Sequence, residues 1–126
     1  MSQTKVLLVD DEVEFVSALA ERLRLRGYDT NAVSQAEEAL TIIRNDSPDV
    51  VLLDFRMPGM DGLEALEKIK KMAPSVEVIM LTGLEDTSSF EKAKKSGAFE
   101  YIMKPADIDE IIVKIENAKK RSSGKS

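Results

Sequence analysis

Short apolar runs alternate along the chain with segments in which apolar residues recur every three or four positions. Three runs, at residues 6–9, 50–53 and 78–81, are almost continuously apolar, which is typical of strands covered on both faces of a sheet. Residues 28–33 alternate more and predict an edge strand, and residues 99–103 predict a short fifth strand. The pattern therefore predicts five β-strands.

Each of these strands is followed by a segment with the periodicity of an amphipathic helix. The apolar residues at this spacing are Phe15, Leu19 and Leu23; Ala36, Leu40 and Ile43; Leu66 and Ile69; Phe90 and Ala93; and Ile108, Ile112 and Ile115. Because strand and helix alternate five times, we expect an α/β fold, a doubly wound five-stranded parallel sheet with helices on both faces. Ligands of such sheets bind beyond the carboxyl ends of the strands.

Capping residues mark both ends of several predicted helices. Three pairs have the spacing of a capping box or its acidic variant at a helix start: Ser34 with Glu37, Asp61 with Glu64, and Asp107 with Glu110. Gly27 and Gly97 follow helical segments, where a glycine can end the helix in a left-handed conformation without steric cost. These signals agree with the periodicity.

Composition narrows the possible functions. The 126 residues are enough for one domain, and the net charge of −5 argues against binding to a nucleic acid backbone. The chain has no cysteine and no histidine, which excludes disulfides, thiolate chemistry and imidazole catalysis. No apolar run approaches the roughly 20 residues that cross a bilayer, and no signal peptide is visible, so we expect a cytoplasmic protein without membrane contact.

Polar side chains with complementary chemistry follow the predicted strands. Asp10 and Asp11 end the first strand, Asp54 the third, Thr82 the fourth and Lys104 the fifth. Neighbouring carboxylates repel one another unless a cation compensates, and an all-oxygen cluster suits Mg²⁺. A hydroxyl and an ammonium are partners for a phosphoryl group. Without imidazole or thiol, the most plausible nucleophile is a carboxylate, which can carry a phosphoryl group as a mixed anhydride.

Four stretches in order, VLLVDDE, VVLLDFRMPGMDG, VIMLTG and GAFEYIMKP, carry a family resemblance over about residues 5 to 118. Through them the chain resembles the receiver domains of two-component response regulators, including the single-domain chemotaxis regulators. The resemblance implies a flavodoxin-like three-layer sandwich with strand order 2-1-3-4-5. Residues 1–120 would form the receiver domain, and residues 121–126 a flexible tail or linker.

The resemblance also implies a phosphorylation site with Mg²⁺ as cofactor. Asp54 corresponds to the phosphoacceptor, and Asp10, Asp11, Asp54 and the backbone carbonyl of Arg56 to the metal ligands. Thr82 and Lys104 would bind phosphoryl oxygens. The expected phosphodonor is a sensor histidine kinase, a phosphotransfer protein or a small phosphodonor. A downstream output domain or protein would respond, and phosphorylation-dependent homodimers are possible partners.

Further residues match the switch and the loops of the family. Thr82 and Tyr101 resemble the pair that moves on activation. Pro105 resembles the family proline, which often follows a cis peptide bond that aims the lysine into the site. Three residues would shape the loop after Asp54: Pro58, Gly59 and Gly62.

Other interpretations of these residues stay open at this point. Asp10 and Asp11 could cap the first helix, and Tyr101 could be a packing residue. The domain could be a degenerate receiver that binds partners constitutively. A Mg²⁺-dependent phosphohydrolase of the haloacid-dehalogenase type would use a second acid where Arg56 stands. A nucleotide-binding domain is disfavoured, because no glycine-rich phosphate loop follows the first strand.

Overall fold

The computed structural model describes residues 3–57, 59–83 and 90–123. Strands and helices alternate along the whole of this part of the chain, as the apolar pattern predicted. In order, the elements are β1 (Lys5–Val9), α1 (Val13–Leu25), β2 (Asp29–Val33), α2 (Ala36–Asn45), β3 (Val50–Asp54), α3 (Gly62–Met72), β4 (Glu77–Thr82), α4 (Phe90–Lys95), β5 (Glu100–Met103) and α5 (Ile108–Ser123).

The five strands form one parallel sheet in the order β2-β1-β3-β4-β5, which confirms the predicted fold. The chain leaves β1 for β2 on one side and returns to β3 on the other, so the strand order reverses between β1 and β3. In their register Val9 lies opposite Leu53, which brings the carboxyl ends of these two strands to the same level. Crevices at such reversal points are where doubly wound sheets bind their ligands.

Alternate residues of the central strands enter two separate apolar layers. Leu7 and Val9 pack with residues of α2, α3 and α4, whereas Val6 and Leu8 pack with residues of α1 and α5. Each fully buried aliphatic side chain contributes roughly 1.5–3 kcal/mol by leaving water. Burial on both faces explains why these strands are apolar throughout. None of the described helices combines the length and apolar content needed to cross a membrane.

The ends of the helices agree with most of the capping signals. The Asp61 carboxylate accepts a hydrogen bond of 2.8 Å from the backbone N–H of Glu64, and Gly27 and Gly97 have φ of 92° and 111°. The prediction of a cap at Ser34 was wrong. The N-cap residue of α2 is Gln35, which has an extended backbone conformation and forms no side-chain capping hydrogen bond. Helix α5 extends to Ser123, and the division into a receiver domain of residues 1–120 and a tail stays a prediction.

A buried acid lies at the amino-terminal edge of the sheet. Glu77 begins β4 one residue before the predicted strand and is fully buried. The guanidinium of Arg121, in the last turn of α5, lies 3.7 Å from its carboxylate and 5.3 Å from the ring centroid of Phe99. This ion pair joins the end of α5 to the edge of the sheet at which the strands begin. Asp10 and Asp54 lie at the opposite edge, where the strands end.

Candidate functional site

Three carboxylates meet where β1 and β3 end. One oxygen from each of Asp10, Asp11 and Asp54 lies within 4.8 Å of the others, and we call these residues the acidic trio. Asp10 is fully buried and Asp54 is 7% exposed, whereas Asp11 faces solvent. The sheet register therefore assembles the cluster that the strand ends predicted.

Backbone groups hold the two buried acids in place. Asp10 accepts a hydrogen bond of 2.9 Å from the N–H of Glu12, and Asp54 accepts one of 3.3 Å from the N–H of Arg56. Helix α1 starts only at Val13, with Glu12 at the cap position and no side-chain capping bond. The alternative in which Asp10 or Asp11 caps this helix is therefore wrong.

Burial and like charge disfavour ionisation of Asp54. Its burial and the negative charge of Asp10 raise the pKa of the Asp54 carboxyl from 3.8 to about 7, while the nearby Lys104 ammonium acts in the opposite direction. Desolvation and a neighbouring carboxylate both penalise the charged form. The acidic trio is thus under electrostatic stress that a bound cation would relieve.

This raised pKa predicts a pH-dependent stability effect in the metal-free protein. Between about pH 4 and about pH 7 the folded protein holds a proton on Asp54 that the unfolded chain has released, so the stability from this group is lost as the pH rises through this window. We expect Asp54→Asn to raise the free energy of unfolding, relative to wild type, more above this window than near its lower end. Denaturant titrations in chelator at both pH values measure the difference. An equal effect at both values would show that Asp54 keeps an ordinary pKa.

Lys104 reaches the acidic trio from the end of β5. Its ammonium lies 2.8 Å from Asp10, 2.7 Å from Glu12 and 3.5 Å from Asp54. Burial lowers the pKa of Lys104, but hydrogen bonds to Asp10 and Glu12 and the charge of Asp54 outweigh it and leave the pKa above its usual value. The peptide bond between Lys104 and Pro105 is cis, as the family resemblance suggested.

The two predicted switch residues lie on the neighbouring strands. Thr82, the last residue of β4, is buried, and its hydroxyl donates to the carbonyl of Gly83 at 3.0 Å. Its own carbonyl accepts a hydrogen bond of 2.7 Å from the N–H of Lys104, which ties β4 to the end of β5. Tyr101 is half-buried, and its ring centroid lies 4.0 Å from that of Phe90 on α4.

The loop between β3 and α3 passes close to the trio. Gly59 adopts φ of 86°, a left-handed conformation that favours glycine, and Gly62 packs against the backbone of Phe55. Pro58, also predicted to shape this loop, lies outside the described residues. The role of the Arg56 carbonyl as a metal ligand stays a prediction.

The donor set of the trio fits a hard divalent cation. All the donors that it offers are carboxylate oxygens, and Mg²⁺ is bound in proteins through one or two carboxylates together with water and phosphate oxygens. Cations that favour thiolate or imidazole would find no such ligand anywhere in this sequence. The residues present therefore fit Mg²⁺.

Two contacts of Lys104 were missed by the sequence analysis. The Glu12 carboxylate pairs with Lys104 across 92 positions of sequence, and the ring centroid of Phe15 lies 5.2 Å from the same ammonium. Glu12 directly follows the two aspartates, so a third acid at a strand end was the available signal. Phe15 was recognised only as an apolar helix position, because nothing local indicates a distant cation.

Comparisons with known proteins identify the family. The model of the response regulator receiver domain matches residues 6–116. The chain is 37% identical over 111 residues to sporulation initiation phosphotransferase F of Bacillus subtilis, covering 88% of this chain and 90% of that protein. It is also 37% identical over 118 residues to the DNA-binding transcriptional regulator NtrC of Escherichia coli, covering 94% of this chain and 25% of that protein.

A solved structure shows the same fold. The CheY-like response regulator receiver domain protein of Methanospirillum hungatei superposes with a TM-score of 0.94 at 30% identity, over 99% of this chain and all of that one. The chain spans between a quarter and a half of the larger regulatory proteins that it matches.

This chain belongs to the response regulator receiver domain family. Receiver domains of this family are signalling modules of two-component systems, and switching by phosphorylation is their general function.

Proposed function

We propose that this receiver domain is switched by a phosphoryl group on Asp54. The observation that carries the proposal is the position of Asp54, which ends a buried strand within 4.8 Å of Asp10 and Asp11 and 3.5 Å from the ammonium of Lys104. A carboxylate in such a place is costly unless it has a chemical role. The donor is a sensor histidine kinase, a phosphotransfer protein or a small phosphodonor. Any phosphohistidine must lie outside these 126 residues, because they include no histidine.

The transfer exchanges one bond to phosphorus for another. A carboxylate oxygen of Asp54 forms the new bond to phosphorus, and the bond from phosphorus to the donor breaks, with its electron pair leaving on the donor. When bound by Asp10, Asp11, Asp54 and the carbonyl of Arg56, Mg²⁺ supplies positive charge against the phosphoryl oxygens. Asp54 must be ionised to react, and Lys104 favours that form. Lys104 and Thr82 then bind oxygens of the transferred group.

The switch in this proposal uses the link between the phosphoryl site and the outer strand. The new dianion draws on Lys104 and on the hydroxyl of Thr82, which now donates to Gly83. Movement of Thr82 would allow Tyr101, half-buried against Phe90, to change position. The affected surface is formed by α4, β5 and α5. A local charge change would thereby shift the equilibrium between two surface conformations.

The partners follow from the proposed switch. A kinase or phosphotransfer protein delivers the phosphoryl group in the cytoplasm, and an output domain or protein binds the activated surface, with homodimerisation as one form of output. NtrC, one relative, is a DNA-binding transcriptional regulator. We expect no direct binding of nucleic acid by this chain, because its net charge of −5 disfavours contact with a phosphate backbone.

Intact-mass measurement after incubation with acetyl phosphate tests the chemistry. We expect one phosphoryl adduct in the presence of Mg²⁺ and none in the presence of a chelator. Backbone NMR shifts with beryllofluoride test the switch, and we expect changes at Tyr101 and along α5 as well as next to Asp54. If no adduct formed and beryllofluoride did not bind either, the results would instead support a degenerate receiver that binds its partners constitutively. Shifts confined to the phosphoryl pocket would refute the switch.

A further inference from the structure

Glu12 forms an ion pair that the phosphorylation chemistry does not require. It lies outside the acidic trio, yet its carboxylate is the closest acid to Lys104, at 2.7 Å. Its position before α1 would allow its side chain to cap that helix, but no capping bond forms. The side chain instead extends to a lysine on the opposite side of the site, beside the ring of Phe15.

The three acids around Lys104 differ in how easily they can release it. Asp10 is fully buried and fixed by the N–H of Glu12, and it belongs to the trio that would bind the metal. Asp54 lies 3.5 Å from the ammonium, beyond the 2.7–2.9 Å of a charge-assisted hydrogen bond. The side chain of Glu12 is 63% exposed and can move into solvent. Glu12 is therefore the partner that Lys104 can exchange.

A phosphoryl group on Asp54 would compete with Glu12 for this lysine. An ammonium has three N–H donors, and those of Lys104 already face three carboxylates. A phosphoryl oxygen needs one of these donors at hydrogen-bond distance. Asp10 is fully buried and cannot exchange the lysine for water, whereas Glu12 can release it with both groups then exposed to water.

We propose that Glu12 holds Lys104 in the unphosphorylated conformation and so lowers the affinity of the site for a phosphoryl group. This inference rests on the proposed function and adds a regulatory residue to it. Glu12 is a positioning residue, because it acts through Lys104 and touches no reacting atom. Glu12 would thereby affect how readily the site is activated, although it contacts neither the metal nor the phosphoryl group.

Titration with beryllofluoride at fixed Mg²⁺, followed by ¹⁹F NMR, measures this effect. We expect Glu12→Gln to bind the mimic about twofold to fivefold more tightly than wild type, within the range for loss of an ion pair whose acid is largely exposed. Glu12→Asp keeps the charge on a shorter side chain and should fall between them. High salt should shrink the difference, since screening weakens the pair.

Two controls separate the specific contact from general charge. Glu14→Gln removes the same charge from the exposed first turn of α1, and Glu14 makes no ion pair with a described residue, so it should bind like wild type. In a Lys104→Met background, Glu12→Gln should not change the affinity for beryllofluoride further. The proposal would be overturned if Glu14→Gln raised the affinity for beryllofluoride as much as Glu12→Gln does. It would also be overturned if Glu12→Gln still raised the affinity in the Lys104→Met background, or if Glu12→Gln lowered the affinity.

A metal-free measurement distinguishes this inference from the proposed function. The side-chain ¹⁵N and ¹³C signals of Lys104 should shift in Glu12→Gln without Mg²⁺ or beryllofluoride and stay unchanged in Glu14→Gln. If the wild type bound no mimic but these signals moved, the ion pair would exist while the proposed function, and the regulation built on it, would fail. If the wild type bound the mimic and the signals did not move, Glu12 alone would lose its role.

Discussion

We expect Asp54→Asn to form no phosphoryl adduct with acetyl phosphate and Mg²⁺ under conditions in which the wild type should gain one. The amide nitrogen or oxygen of asparagine cannot replace the carboxylate oxygen that bonds to phosphorus, and no histidine or cysteine in the chain offers another strong nucleophile. The variant should fold, because asparagine replaces a carboxyl whose charged form is disfavoured in the folded protein. Burial and the charge of Asp10 raise the pKa of the Asp54 carboxyl to about 7. Intact mass, read beside a thermal melt, measures both properties.

Asp61→Asn is the matched control for this substitution. Asp61 follows β3, the strand that Asp54 ends, but it is exposed, and its carboxylate caps α3 by accepting from the N–H of Glu64. Asparagine caps a helix about as well as aspartate, so this variant should be stable and acquire the adduct like wild type. An adduct that persists in Asp54→Asn would transfer the acceptor role to another residue, which peptide mapping would identify.

We expect Gly62→Ala to lower the free energy of unfolding by roughly 1–3 kcal/mol, the range for an overpacked position. A Cβ at Gly62 would lie 2.7 Å from the Cα and 2.8 Å from the carbonyl oxygen of Phe55, and 3.0 Å from the carbonyl oxygen of Asp54. These are backbone atoms and cannot rotate away. The start of α3 must therefore move from the end of β3, and we expect slower phosphorylation of Asp54 as well. Urea titration and the rate of adduct formation measure the two effects.

The sign of this effect discriminates between two physical causes. Gly62 is the first residue of a helix, where alanine is intrinsically favoured over glycine by up to about 1 kcal/mol. Propensity alone thus predicts stabilisation, and the backbone contact predicts the opposite. Gly27→Ala is the control, because its Cβ would meet no atom within 4 Å and only the left-handed φ of 92° opposes it. It should cost about 1 kcal/mol. A Gly62→Ala protein as stable as wild type would refute the close approach.

The sheet was predictable because its cause is local. Strands covered on both faces must be apolar at every position, and helices must repeat their apolar residues every three to four, so Val50 to Leu53 and Leu66 with Ile69 indicate their structures within a few residues. Glu77 shows where this reasoning ends. A charge argues against a buried strand position, and the compensating guanidinium of Arg121 comes from a distant helix.

The acidic trio was predictable for a related reason. Parallel strands end at one edge, so Asp10 and Asp54 had to be neighbours once the topology was known. The contacts of Lys104 were not, because which acid it prefers depends on loop geometry and burial. The contacts of Lys104 with Glu12 and with the ring of Phe15 depend on the residue at which α1 begins. The wrong prediction of a cap at Ser34 likewise concerns the residue at which a helix begins, in this case α2. Short-range pattern does not encode these choices.

The ladder between β1 and β3 also has a consequence for folding kinetics. All four ladders are parallel, so each joins residues at least about twenty positions apart, and the pairing of Val6 with Val50 closes the longest of these loops. Loop closure must precede the gain from such contacts, which slows folding relative to helical bundles. Asp10 and Asp54 come together only through this closure. Beryllofluoride added with Mg²⁺ during refolding should therefore bind only after β1 has paired with β3. The time at which binding begins would then report when this part of the sheet forms.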